Sequence, residues 1–137
     1  MGRRAVKVAV DTNVLLRAAV RDEPRQAQSA AHLLRSADSI AIPLVALCEF
    51  AWVMRNGYKR PAAEVAHSIR ALINSAKVIV DRSLVQAGLA LLDAGGDFAD
   101  GVIAHEGIWL GAAEFVSFDK QSVKLLKSQG KRARLLS

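Results

Sequence analysis

The sequence predicts a three-layer α/β/α domain, related to the Rossmann architecture, with a central, mostly parallel sheet of about five strands. Three observations carry this expectation. Short β-branched apolar runs alternate with longer apolar or amphipathic segments from one end of the chain to the other. Glycine, proline and Asn-Gly signals fall between those segments. The segments between the strand-like runs are long enough to form helical crossovers, which join parallel strands with a right-handed turn.

Each element has a local reason. Val6–Val10 is a β-branched run, so it reads as a strand, and a helix follows from Thr12. Pro24 suits the first turn of a second helix, to about Ser36. Ser39–Ile42 is a short strand. Pro43 opens a long apolar helix to about Arg55, ended by Asn56-Gly57. Arg60-Pro61 starts another helix, to about Asn74, and Lys77–Val80 is a strand. A helix over Ser83–Asp93 is closed by Gly95-Gly96, and a further helix covers Asp97–Leu110. Glu114–Phe118 is a strand, Lys120–Gln129 a helix stopped by Gly130, and Ala133–Leu136 a last short strand.

The 137 residues form one domain, 1–137, with no internal repeat, low-complexity tract or linker. A hydrophobic content of 52% and a mean hydropathy of +0.20 indicate a well-buried globular chain rather than a disordered one. The longest apolar stretch, Ile40–Met54, is broken by Pro43 and Glu49 and is short of the ~20 residues that span a bilayer. The N-terminus lacks a signal-peptide pattern. The single cysteine, Cys48, lies in an apolar segment and reads as core filler, so a reduced, cytoplasmic setting is expected. The net charge of +6 favours a polyanionic partner, most naturally nucleic acid.

Four carboxylates stand out against this background. Asp11 follows the first strand and is the only charge between Lys7 and Arg17. Glu49 is the only charge between Ile40 and Met54. Asp100 sits in Asp97-Phe98-Ala99-Asp100-Gly101-Val102, and Asp119 ends the run Glu114–Phe118. Isolated carboxylates in apolar surroundings are costly unless they are paired or hold a metal. Convergence on one divalent cation explains all four, and magnesium and manganese favour oxygen donors of this kind. Asp11 and Asp119 also fit helix N-caps, and Glu49 also fits a pair with a buried arginine. Asp100 also fits the third position of a capping arrangement with Asp97. Asp97 is better read as an N-cap, with an outer contact to a metal as its second role.

These pieces, in order, resemble the PIN-domain family, in particular the VapC-like toxins of bacterial toxin–antitoxin pairs. The matching segments are Asp11-Thr12-Asn13-Val14-Leu15, Pro43–Val53 around Glu49, Asp97–Ala104 around Asp100, and Val116-Ser117-Phe118-Asp119. The resemblance implies that Asp11, Glu49, Asp100 and Asp119 form a catalytic metal site; Asp97, three residues before Asp100, is a further candidate ligand on its spacing alone. The resemblance also implies supporting roles for Thr12, Asn13 and Ser117. Where family members carry alanine after the third acid, this chain has Gly101. The implied activity is hydrolysis of RNA by an endoribonuclease using Mg2+ or Mn2+, with the ion activating a water. The implied partners are a homodimer mate and a cognate antitoxin.

Lys120, Lys124, Lys127 and Lys131 recur at helical spacing beside Asp119. Lys120, Lys124 and Lys127 are candidate contacts to the RNA backbone, with a plain solvated face as the alternative. Arg17, Arg21 and Arg25 fit either a substrate groove or pairs with surface acids. Trp52 and Trp109 lie in apolar segments and are expected to pack in the core or an interface rather than stack on bases. Two rival functions compete with this reading. A haloacid-dehalogenase-type phosphatase needs a second aspartate where Asn13 stands. A non-catalytic RNA- or partner-binding domain gains nothing from acids facing phosphate.

Overall fold

The computed structural model describes residues 4–137. Strand β1 (Lys7–Ala9) runs into helix α1 (Thr12–Val20), and α2 (Pro24–Ser36) returns the chain to β2 (Ser39–Ala41). Pro24 occupies the first turn of α2, where its missing N–H costs nothing. Helix α3 (Leu44–Trp52) and a single π-helical turn (Val53–Gly57) lead to α4 (Ala62–Ile73) and β3 (Val78–Ile79). Helices α5 (Arg82–Asp93) and α6 (Phe98–Trp109) pack side by side before β4 (Phe115–Ser117), α7 (Lys120–Ser128) and β5 (Ala133–Leu135).

All strand pairs among the described residues are parallel, as the alternation of elements predicts. Val8 stands opposite Ile40, and Ile40 opposite Val78. The strands form two ladders, β1-β2-β3 and β4-β5, rather than one five-stranded sheet. The division follows the core. The main cluster gathers Leu15, Ile40, Leu47, Phe50, Val65 and Leu89 around the first ladder. A second cluster of Leu91, Ala104, Val123, Leu126 and Ala133 holds β4, β5 and α7 against α5 and α6. Full burial of Leu47 and Phe50 contributes roughly 1.5–3 kcal/mol each.

Two local departures from the sequence expectation have physical causes. The predicted helix Pro43–Arg55 ends its α-geometry at Trp52. The side-chain amide of Asn56 donates to the Trp52 carbonyl at 3.0 Å, taking the acceptor that an α-helix would offer to the Asn56 N–H. The chain therefore rewinds as a π turn, closed by Tyr58 N–H to the Val53 carbonyl at 3.0 Å. Trp52 and Trp109 are not core residues, since they are 57% and 76% exposed.

Helices α5 and α6 approach closely because glycines face the contact. A Cβ on Gly101 would lie 2.5 Å from the Ala87 carbonyl oxygen and 3.0 Å from the Gly88 Cα. The departure from alanine after Asp100 is thus a packing requirement of this chain. It sets the distance at which α6 presents Asp100.

Candidate active site

Asp11, Asp97, Asp100 and Asp119 lie at helix starts, where backbone N–H groups are unsatisfied, whereas Glu49 lies within α3. Asp11 caps α1, accepting from Val14 N–H at 3.1 Å. Asp97 caps α6, accepting from Ala99 N–H at 2.9 Å. Asp119 caps α7, accepting from Ser122 N–H at 3.1 Å. Capping uses one oxygen of each carboxylate and leaves the other free. Capping and a second role are therefore compatible at all three positions.

Asp100 behaves differently. It stands in the first turn of α6, yet its Oδ2 accepts from the hydroxyl of Ser122 on α7 at 2.6 Å. Ser122 is only 2% exposed, so this bond is sheltered. Its own N–H goes to Asp119, and one buried serine therefore joins two acids on different helices. Burial raises the Asp100 pKa. The Ser122 bond opposes that shift, and the charges of Asp97 and Asp119 add to it. Three carboxylates thus share one electrostatic neighbourhood.

Glu49 and Asp11 are exposed. Glu49 makes no ion pair among the described residues, so the buried-arginine alternative is not realised. Its helix lies alongside the start of α6. Burial pushes the thiol of the neighbouring Cys48 up to about 11, and Asp97 and Glu106 add to the effect. Thr12 is buried, and its hydroxyl reaches the Ala46 carbonyl at 3.5 Å, tying α1 to the helix that carries Glu49. The Ser117 hydroxyl accepts from Asp119 N–H at 2.9 Å, which fixes the turn out of β4. Asn13 is exposed and lines a cleft of about 440 Å3 with Arg17, Gln26 and Leu33. Arg17 is held there by Gln26 at 2.6 Å and Asp22 at 3.3 Å.

The donor set is all oxygen, which suits a hard divalent cation in kind. In this side-chain arrangement the acids do not close into a single coordination sphere. Among the described residues, no group of three or more His, Cys, Asp or Glu side chains is near enough to hold a metal ion. Through Ser122 the structure links Asp100 and Asp119, with Asp97 in electrostatic reach. Ser122 is the residue that sequence reasoning missed. Its place three residues after Asp119 marked it only as part of a helix start, and its burial against Asp100 is a tertiary fact.

Lys120, Lys124, Lys127 and Lys131 are all exposed, and the first three ride on α7 directly after Asp119. No helix among the described residues is long and apolar enough to cross a membrane. In comparison with known proteins, the PIN domain family model matches residues 8–126. No curated protein matches the chain.

Proposed function

Because the chain belongs to the PIN-domain family, a fold of metal-dependent nucleases, we propose that it is an endoribonuclease. In this reading Asp100 and Asp119 hold a magnesium or manganese ion, with Asp11 and Glu49 completing the acidic set. Asp97, committed to its helix cap, contributes an outer contact. The observation that carries the reading is the Asp100–Ser122–Asp119 link. It presents two carboxylates from different helices at one place, with the Asp100 carboxyl already pushed up by burial and by its acidic neighbours.

A bound divalent ion would supply charge neutralisation at the phosphodiester and would activate water. The chain's own groups do the rest. Ser122 keeps Asp100 oriented and favours its ionised form. Ser117 fixes the backbone N–H of Asp119, and Thr12 holds α1 against α3. Asn13, exposed at the start of α1 beside Asp11, supplies a polar amide to the substrate. Lys120, Lys124 and Lys127 attract the RNA backbone and hold it beside Asp119.

We also read the chain as the toxin of a toxin–antitoxin pair, acting in the cytoplasm as a homodimer. Ile108, Trp109 and Leu110 are exposed large apolar side chains at the end of α6, a surface that a second copy would cover. A cognate antitoxin would silence the protein by placing a basic side chain among the acids. The test of the metal site is thermal unfolding with and without manganese. A melting temperature raised by saturating manganese in the native chain, but not in Asp119→Asn, supports the site. An unchanged melting temperature in the native chain refutes it.

A further inference from the structure

Beside the acidic group lies a second, polar cleft of about 320 Å3 that, apart from Asp97, the nuclease reading leaves without a role. It lies between the π-helical turn after α3 and the loop joining α5 to α6. Trp52, Arg55, Asn56, Gly96, Asp97 and Gln121 line it. Trp52 offers a ring that is 57% exposed, on a helix anchored by the buried side chains of Leu47, Phe50 and Ala51. The loop at the base is glycine backbone. Gly95 has φ +95°, which favours glycine, and Gly96 packs against Leu91 and Leu125.

The polar groups are arranged with a definite sense. The Asn56 amino group donates to the Trp52 carbonyl at 3.0 Å, and the Gln121 amino group donates to the Gly95 carbonyl at 3.3 Å. A backbone carbonyl only accepts, so both side-chain amides leave their oxygen as the free end. Asp97 spends one oxygen on its cap and keeps the other. The cleft therefore presents acceptors. Arg55 is the cationic exception. It gives one N–H group to the Arg60 carbonyl at 3.3 Å, and the others remain for a phosphate.

We propose that this cleft binds one unpaired purine base of the RNA, guanine in preference to the others, next to the scissile phosphate. The inference rests on the nuclease reading for its substrate. The base stacks on Trp52 as single-stranded RNA bases stack on exposed aromatic rings. Guanine presents N1–H and the N2 amino group on one edge, which matches a pocket of free acceptors. Uracil presents only N3–H there. Gln121 lies two residues after Asp119, and Asp97 three before Asp100. A nucleotide held in the cleft therefore delivers its neighbouring phosphate toward the acids. Trp52, Asn56 and Gln121 are specificity-determining residues in this account, and Arg55 grips the backbone.

The test uses the full chain with Trp109→Phe, which leaves Trp52 as the sole tryptophan, and Asp100→Asn to keep the RNA intact. The probes are a uridine octamer and the same octamer with one central guanosine, followed both by anisotropy of a labelled RNA and by Trp52 emission. The expected result is quenching of Trp52 and at least about threefold tighter binding of the guanosine octamer. Trp52→Ala should weaken that binding about tenfold, within the range for one stacked base, and Trp52→Phe should restore most of it. Binding by anisotropy with Trp52 emission unmoved, or equal affinity for the two octamers, overturns the pocket and leaves the nuclease reading standing. No binding of either octamer overturns both.

Discussion

Asp100 and Asp119 sit on different helices and meet through Ser122, whose hydroxyl serves the first at 2.6 Å and whose backbone N–H serves the second at 3.1 Å. The second bond is the N-cap of α7 itself, whereas the first crosses from α6 to α7 and is not needed for Asp100 to form its own helix. The link is therefore an arrangement between elements, and it makes the protonation of Asp100 the point at which the site can be interrogated.

The first prediction concerns stability against pH. Burial and the neighbouring acids raise the Asp100 pKa in the folded chain. A raised carboxyl pKa means that ionisation costs folding stability. The cost is absent below the unfolded-state value, grows as pH rises through that value to the folded one, and is constant above it. Asp100→Asn removes the cost and keeps an oxygen for Ser122. It should raise the melting temperature at pH 7 by about 1–3 °C, a fraction of a kcal/mol after solvent screening. The gain should vanish at about pH 3, below the usual carboxylate range. Calorimetric scans at the two pH values measure it, and an equal gain at both would refute the cause.

Ser122→Ala removes the one interaction that lowers the Asp100 pKa. The carboxyl then needs a higher pH to ionise, so the acidic limb of kcat/KM should move upward. Activity at pH 6 should fall by roughly threefold or more relative to activity at pH 8, the scale of one charged hydrogen bond in partly wet surroundings. A uniform loss at all pH values would mean that Ser122 is only a packing residue.

Gly101→Ala drives a methyl into the Ala87 carbonyl and the backbone of Gly88. Overpacking of this kind costs about 1–3 kcal/mol, or a melting temperature lower by roughly 5–10 °C in a chain of this size. The variant should also lose activity beyond its loss of fold, because α6 carries Asp100. Melting curves and rates measured well below the transition separate the two effects.

Charge reversal at Lys124 and Lys127 tests the basic face of α7. Lys124→Glu with Lys127→Glu should weaken RNA binding several-fold at low salt and flatten the dependence of affinity on salt concentration. Unchanged binding would return these lysines to a solvated face.

Local features of the fold were readable from the sequence wherever the cause was local. Pro24 at the start of α2 and the caps Asp11, Asp97 and Asp119 are properties of a few adjacent residues. The helix ends agree with the structure within two or three residues. The π turn was not readable, because it depends on Asn56 turning its amide back onto Trp52. Nor was the split of the sheet, since alternation identifies strands without saying which of them pair. At the site, the four acids could be nominated from their isolation in apolar runs. The link through Ser122 could not, because a serine three residues into a helix carries no sign of what its hydroxyl meets. The exposure of Trp52, which rules out the core half of the core-or-interface expectation, was not readable for a related reason: apolar neighbours in sequence do not determine which face of a helix is left in water.

The central claim is that these acids hold a divalent ion that lets the chain hydrolyse RNA. Cleavage of RNA by the purified protein, with manganese or magnesium and with chelator, tests it most directly, with Asp100→Asn and Glu49→Gln run in parallel. The account predicts metal-dependent cleavage that falls by about 100-fold or more in each variant, as loss of a group essential to charge stabilisation does. Cleavage that survives chelator, or that is equal in the variants, would contradict it.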